Sequence, residues 1–337
     1  MTRPATYLTS LQQALHQMMT DDPRVIVLGE DILDPYGGAF KVTKGLSTRF
    51  PERVWTTPIS EAAIVGVANG LALRGLRPVA EIMFGDFITL AADQLINHAA
   101  KFRAMYNQQV RVPVTIRTPM GGGRGYGPTH SQSLEKLYLG APHLHVVAPS
   151  LFHDPGEMLR RAVLDDDDPT LFIEHKLLYP AALVSGDETL QIDQVDDGTG
   201  YPAVRVRNHP HDASDVTIIT YGGGSLHLPA LLRMLAAEEV TATAYLPGSL
   251  HPLSLSPIFD EAARSGRVVI IEDGTEGFGW SSEAAVRLYD AVGPQLAASI
   301  RRVAAEADVI PAARHLEDEK LVTAEKIEQA IWEVLFA

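Results

Sequence analysis

The chain has 337 residues, a formal net charge of −14 and no cysteine. Hydrophobic residues make up 46% and charged residues 21%, which suits two ordinary cores and excludes global disorder. The acidic balance argues against nucleic acid or an anionic membrane as partner, and the missing thiols exclude disulfides, thiolate nucleophiles and zinc–cysteine sites. Residues 1–10 lack the basic-then-apolar pattern of a secretory signal, and no stretch approaches the roughly 20 apolar residues that span a bilayer, so a cytoplasmic protein is expected.

Taken in chain order, an amphipathic helix around 11–19 leads into a buried strand at 25–28. Ser60 reads as the N-cap of a helix over 61–73, with Glu61 complementing the helix dipole. Strands at 79–83 and 112–117 bracket a segment, 87–102, whose apolar residues recur at helical spacing. Strands at 146–148 and 171–174 flank a helix near 156–164. The stretch 185–215 is rich in Asp, Gly, His and Pro and reads as a crossing between domains. A second βα rhythm follows, with a strand at 216–220, a turn at 222–224, a helix at 225–238, a strand at 268–272 and a helix at 282–292. The expected fold class is α/β, with two doubly wound parallel-sheet domains at 1–190 and 216–337 joined by a linker at 191–215.

Two glycine-rich turns invite a phosphate-loop reading. Gly121–Gly125 follows a strand but lacks the Lys-Ser/Thr pair of a P-loop, and Arg124, Tyr126 and His130 cluster in the same loop, which favours a functional role. Gly222–Gly224 has His227 where a dinucleotide fingerprint needs its third glycine, so close packing is the plainer account there. On spacing alone Glu61 is explained by the helix dipole, His130 by a solvated loop, and the acids 165–168 by a solvated helix end. Spacing lifts none of them to a mechanism.

Several ordered segments change that reading: Gly29-Glu30-Asp31, YGGAFKVTKGL at 36–46, TPISE at 57–61, ALRGLRPVAE at 72–81, DQLIN at 93–97, GPTHSQS at 127–133 and EHKLLY at 174–179. Together they resemble the β subunit of the thiamine-diphosphate-dependent 2-oxoacid dehydrogenases, which handle pyruvate, branched-chain 2-oxoacids or acetoin. The resemblance is ungapped from about 25 to 180 and looser beyond, where Ile271-Glu272-Asp273 and Gly277-Phe278-Gly279 still match. It implies a thiamine pyrimidine-binding domain followed by a transketolase C-terminal-like domain.

The resemblance also implies a site shared with an α-type subunit in an α2β2 heterotetramer. The α chain would hold Mg²⁺ and the diphosphate, and no Gly-Asp-Gly…Asn motif for that task occurs here. Glu61 matches the carboxylate that hydrogen-bonds the pyrimidine ring, and Phe87 the aromatic packed against it. Ile59 and Glu30 are further expected cofactor neighbours. His130 matches a histidine facing the reacting carbon, expected to assist acyl transfer to a lipoyl group. Glu30 and Asp93 match acids that line a polar tunnel in some relatives. A structural K⁺ site maps to Val114, Ala162, Val163, Asp165 and Asp167. The segments 247–253 and 310–317 depart from the family pattern, which leaves docking onto a lipoyl-acyltransferase core open. The rival readings are a nicotinamide dehydrogenase using Gly222–Gly224, a non-catalytic scaffold, and a split transketolase acting on sugar phosphates.

Overall fold

A computed structural model describes residues 6–211 and 213–337. The chain divides into two compact units, each built around its own sheet. Among the described residues, the first takes 6–120, 137–149 and 154–183, and the second takes 121–136, 150–153, 184–211 and 213–337.

The first unit opens with helix α1 (Tyr7–Asp21), whose start is fixed by a reciprocal cap: the Thr6 hydroxyl accepts the Thr9 N–H, and the Thr9 hydroxyl accepts the Thr6 N–H. Its inner face buries Leu11, Leu15, Met18 and Met19. Strand β1 (Val25–Gly29), the short helix α2 (Leu46–Arg49), strand β2 (Val54–Thr56), helix α3 (Glu61–Leu73) and strand β3 (Arg77–Glu81) follow. Next come helix α4 (Ala100–Met105), strands β4 (Thr115–Met120) and β5 (His145–Val147), helix α5 (Pro155–Leu164) and strand β6 (Thr170–His175). Within this unit the strands lie in the order β5-β6-β4-β3-β1-β2, every pairing parallel. β1, β4 and β6 are buried at every residue, as expected for parallel strands covered by helices on both faces.

The second unit contains strands β7 (Gln191–Val195), β8 (Ala203–Arg207) and β9 (Val216–Ile219), helix α6 (Leu228–Ala237), and strands β10 (Ala242–Leu246) and β11 (Ser249–His251). Helix α7 (Phe259–Ser265), strand β12 (Val268–Thr275), helix α8 (Trp280–Val292), strand β13 (Arg301–Ala305) and helices α9 (Arg314–Lys320) and α10 (Ala324–Leu335) complete it. Its sheet is six-stranded in the order β13-β12-β9-β10-β8-β7, parallel except for the antiparallel β7–β8 and β8–β10 pairs. Among the described residues no helix is long and apolar enough to cross a membrane.

The structure departs from the sequence expectation in several places. The expected linker at 191–215 carries β7 and β8, an antiparallel pair that extends the second sheet. Val204 and Val206 point into the core, while Arg205 and Arg207 reach Asp193 across the pair. Strand β3 begins two residues before, and β4 three residues after, the position expected. The segment expected as one helix at 87–102 is instead a 3₁₀ turn (Gly85–Ala91), a π-helical stretch (Gln94–Ala99) and α4. Such irregular winding is common near functional sites. Ser60 does occupy the N-cap position of α3, yet its side chain makes no capping hydrogen bond.

Candidate active site

In open α/β sheets, ligands bind beyond the carboxyl ends of the strands. In the first unit β1, β2 and β3 all end together, with Gly29 opposite both Thr56 and Glu81. The Thr57 N–H continues the ladder onto the Gly29 carbonyl at 3.0 Å, which fixes the path of residues 57–60 into α3. Glu30 and Glu61 therefore emerge side by side. Both are buried, at 7% and 5% exposure. The Ser60 backbone N–H bonds the Glu30 carboxyl, and burial together with the nearby charge of Glu61 pushes Glu30 above the usual carboxylate range. Glu30 Oε1 is buried with no hydrogen-bond partner. Among the described residues, no donor is hydrogen-bonded to the Glu61 carboxylate.

The rest of α3 presents an unusual surface. One face buries Ile64, Val65, Ala68 and Ala72. The opposite face is also apolar, with Ala63, Gly66, Val67, Gly70 and Leu73 exposed, and Ile59 just before the helix is 85% exposed. A helix apolar on all sides is normally covered on all sides.

Aromatic rings build the adjoining wall. Phe87 meets Phe84 edge-on at 6.0 Å, Phe84 meets Phe40 at 5.6 Å, and Phe40 stacks on Tyr179 at 5.0 Å. Gly85 lets this turn approach β4, since a Cβ there would lie 2.3 Å from Met120 Cγ. Beneath the wall lies a charge network that sequence reasoning missed. Arg117, 1% exposed, donates Nε and Nη2 to the two Glu174 oxygens at 2.7 and 2.5 Å and Nη1 to Glu81. The Tyr179 hydroxyl donates to Glu174 at 2.7 Å. A lone Arg inside the apolar strand 115–120 was the available signal, because a buried charge needs partners.

His130 belongs to the second unit, in the loop 121–136, where its Nδ1 lies 3.0 Å from Thr129 Oγ1. Asp93, 58% exposed, is bonded along its own helical stretch to Asn97 and paired with His98, so it does not join Glu30. The oxygens expected around K⁺ are engaged by protein groups. Val114 O accepts the Thr170 N–H, and Val163 O accepts Arg77 Nη1 at 3.2 Å. Asp167 accepts Arg77 and Arg111, and Asp165 accepts Arg160. Ala162 is buried on α5. The acids 165–168 are thus not a solvated helix end, for Asp166 also holds His145 and Asp168 holds Arg103. Among the expected ligand carbonyls, that of Val163 is the one met by a guanidinium, from Arg77.

Neither glycine turn is a phosphate cradle. The amides of Gly123 and Gly125 donate to the Glu317 carboxylate at 2.9 and 2.8 Å. At the second turn the Gly224 N–H donates to the Tyr221 carbonyl at 3.0 Å, and the Asp273 carboxyl faces the Gly223 and Gly224 amides, with burial and the charge of Glu135 pushing it up to about 7. An internal carboxylate thus occupies the place a nucleotide diphosphate would need in each turn, which counts against the nicotinamide reading.

Comparison with known proteins accords with this geometry. Residues 3–182 match the family model for the transketolase pyrimidine binding domain, and residues 207–327 that for the transketolase C-terminal domain. The chain is 34% identical to the β subunit of an acetoin:2,6-dichlorophenolindophenol oxidoreductase from Cupriavidus necator, over 98% of this chain and 97% of that one. It is equally 34% identical to the 2-oxoisovalerate dehydrogenase β subunit of Bacillus subtilis, over 98% of both. It is 33% identical to the mitochondrial pyruvate dehydrogenase E1 component subunit beta-1 of Arabidopsis thaliana, over 96% of this chain and 88% of that one. Among solved structures, a split-gene transketolase described as an inactive β4 tetramer superposes with a TM-score of 0.70 at 19% identity, covering 97% of each chain. With both transketolase-type domains present and relatives matched along almost its whole length, the chain belongs to the β subunits of the thiamine-diphosphate-dependent 2-oxoacid dehydrogenase family.

Proposed function

We propose that this chain supplies the pyrimidine-binding half of a thiamine diphosphate site, completed by an α-type subunit, in an enzyme that oxidatively decarboxylates a 2-oxoacid and passes the acyl group to a lipoyl carrier. The observation that carries the reading is the buried Glu61 carboxylate without a protein donor, beside a helix face that is apolar and open. A carboxylate from which a bound ligand displaces water needs a new hydrogen-bonding partner, and a ring nitrogen of an aminopyrimidine provides one. The orphaned Glu30 oxygen adds a second polar position at the same mouth, and Ile59 and Phe87 give the apolar and aromatic contacts a flat heterocycle takes.

Thiamine diphosphate, when bound, supplies the nucleophilic carbon and the electron sink for loss of CO₂. The chain's own tasks are positional and protonic. Glu61 holds a proton at the pyrimidine ring nitrogen, which sets the tautomer of the ring. Glu30, kept toward its neutral form, avoids a second negative charge beside Glu61. Phe87, backed by Phe84 and Phe40, keeps water from the ring. His130 assists the later acyl transfer. Mg²⁺ and the diphosphate fall to the α subunit, which would cover Ile59 and the open face of α3.

The 34% identity to an acetoin oxidoreductase β subunit favours a second reading, cleavage of acetoin at the same site. Both are tested by co-expressing the chain with a candidate α subunit. Decarboxylation of pyruvate and branched-chain 2-oxoacids is then measured beside acetoin cleavage, with thiamine diphosphate and Mg²⁺ present. Activity in the mixture and in neither chain alone supports the split site. A stable complex inactive on every substrate in the panel removes the proposal.

A further inference from the structure

The segment 310–317, which departs from the family pattern, packs against the loop that carries His130. Glu317, the last residue of that segment, is fully buried near the start of α9. Its two carboxylate oxygens each take one backbone amide from the loop, Gly123 N at 2.9 Å and Gly125 N at 2.8 Å. The fit around this contact is close. A Cβ on Gly122 would lie 2.6 Å from Leu321 Cδ1 and 3.3 Å from Glu317 Oε1. A Cβ on Gly125 would lie 3.2 Å from the Ala312 carbonyl oxygen, and one on Gly127 3.4 Å from the Ala312 Cβ. Gly121, Gly123, Gly125 and Gly127 all have positive φ, so the loop adopts a path that ordinary residues would resist.

The loop is tied elsewhere by its own ends. Gly121 N–H donates to the Gln132 carbonyl at 3.1 Å, closing the loop on itself. At the far end Lys136 Nζ reaches Thr275 and Gly277, and the Tyr221 hydroxyl donates to Glu135. Between those anchors, the Glu317 carboxylate is the charged group that gathers the glycine amides. The chain then reaches His130, whose N–H returns to the Gly127 carbonyl at 3.2 Å.

We propose that Glu317 is a positioning residue for His130: its buried carboxylate fixes the 123–127 backbone, and through it the placement of the imidazole used in acyl transfer. This rests on the role given to His130 above. A dianionic phosphate group is not wanted in this loop, because the amides that would bind it already face a charge of the same sign. The substitution Glu317→Gln keeps an acceptor oxygen for one amide and loses the other bond, whereas Glu317→Ala leaves both half-buried amides without the carboxylate.

Two measurements test the proposal. Amide hydrogen exchange on the purified chain reads the loop without any reference to activity. Glu317→Ala should raise exchange across 121–130 by roughly 10-fold or more, the factor expected for losing charge-assisted bonds, and leave β1 and α3 unchanged. Unchanged exchange in the loop overturns the anchoring itself. In the reconstituted α/β enzyme, pyruvate oxidation is then followed with 2,6-dichlorophenolindophenol as electron acceptor and, separately, acyl transfer to free lipoamide. Glu317→Ala should lower kcat for transfer to lipoamide while dye-linked oxidation persists, with Glu317→Gln between the two. An equal fall in both reactions marks a general structural defect and overturns the positioning role. A loosened loop with lipoamide transfer intact in both Glu317→Ala and His130→Ala would overturn the part assigned to His130 rather than the anchor.

Discussion

Removing the Arg117 guanidinium tests the network under the aromatic wall. Arg117, Glu81 and Glu174 are buried together, so Arg117→Met leaves two carboxylates in an apolar interior with one hydroxyl donor, Tyr179, between them. Breaking a buried ion pair from one side costs about 3–5 kcal/mol, since the remaining charge keeps its desolvation penalty. At about 2–4 °C per kcal/mol for a domain of this size, unfolding of the first unit should move down by about 10 °C. Glu81→Gln should behave differently. Burial pushes the Glu81 carboxyl up, against the pull of Arg117, so Glu81 is the member best able to go without its charge. Losing it leaves the bidentate Arg117–Glu174 pair neutral, and the cost should stay near 1 kcal/mol. Urea unfolding of the two variants, monitored by circular dichroism, gives the comparison. A Glu81→Gln penalty equal to or larger than that of Arg117→Met would refute the reasoning.

In the second unit, burial pushes Glu272 and Asp273 up to about 7, with the charge of Glu135 adding to both. A folded value above the unfolded one means that their contribution to stability is fully present below about pH 4 and is lost as pH rises through 7. Glu272→Gln should therefore stabilise the chain by up to about 3 kcal/mol at pH 8.5 and little at pH 4, and a pH-independent difference in urea midpoint would count against this. His145 runs in the same direction for another reason. Burial would lower its imidazole, but the 2.5 Å contact with Asp166 outweighs that and raises it, so the pair's support fades as pH climbs above the usual histidine range. His145→Gln should flatten that part of the stability profile. For the acids 165–168, whose oxygens are held by four arginines, exchanging KCl for choline chloride should leave the unfolding temperature of the chain unchanged; a marked K⁺-specific rise would show that a cation still enters.

Much of the parallel-sheet framework was legible because its strands are short apolar runs between helical periods. β1, β6, β9 and α3 fall where the residues predict them. β7 and β8 were hidden for a physical reason. β7 is an edge strand with mostly polar side chains, and Asp, Gly and His around the pair resemble a loop. The alternation Val204-Arg205-Val206-Arg207 was the overlooked sign of a half-buried strand. Residues 87–102 misled because the 3.6-residue period cannot reveal a local change to 3₁₀ and π winding. Glu61, Phe87 and His130 were singled out through resemblance rather than spacing. Long-range partners were beyond reach: Arg77, Arg103 and Arg111 meet the acids 165–168 from far along the chain. Glu317 was read only as part of an atypical segment, and nothing local marks it as the acceptor for glycine amides nearly two hundred positions earlier.

The central claim is that Glu61 acts on the pyrimidine ring of a thiamine diphosphate completed by a second chain. The most direct test follows exchange of the thiazolium C2 hydrogen for deuterium in the reconstituted α/β complex, by rapid acid quench and proton NMR, for the natural chain and for Glu61→Gln. The account predicts a fall in exchange rate of at least ~100-fold in Glu61→Gln, with assembly and fold retained. An unchanged rate in a correctly assembled Glu61→Gln complex would contradict it.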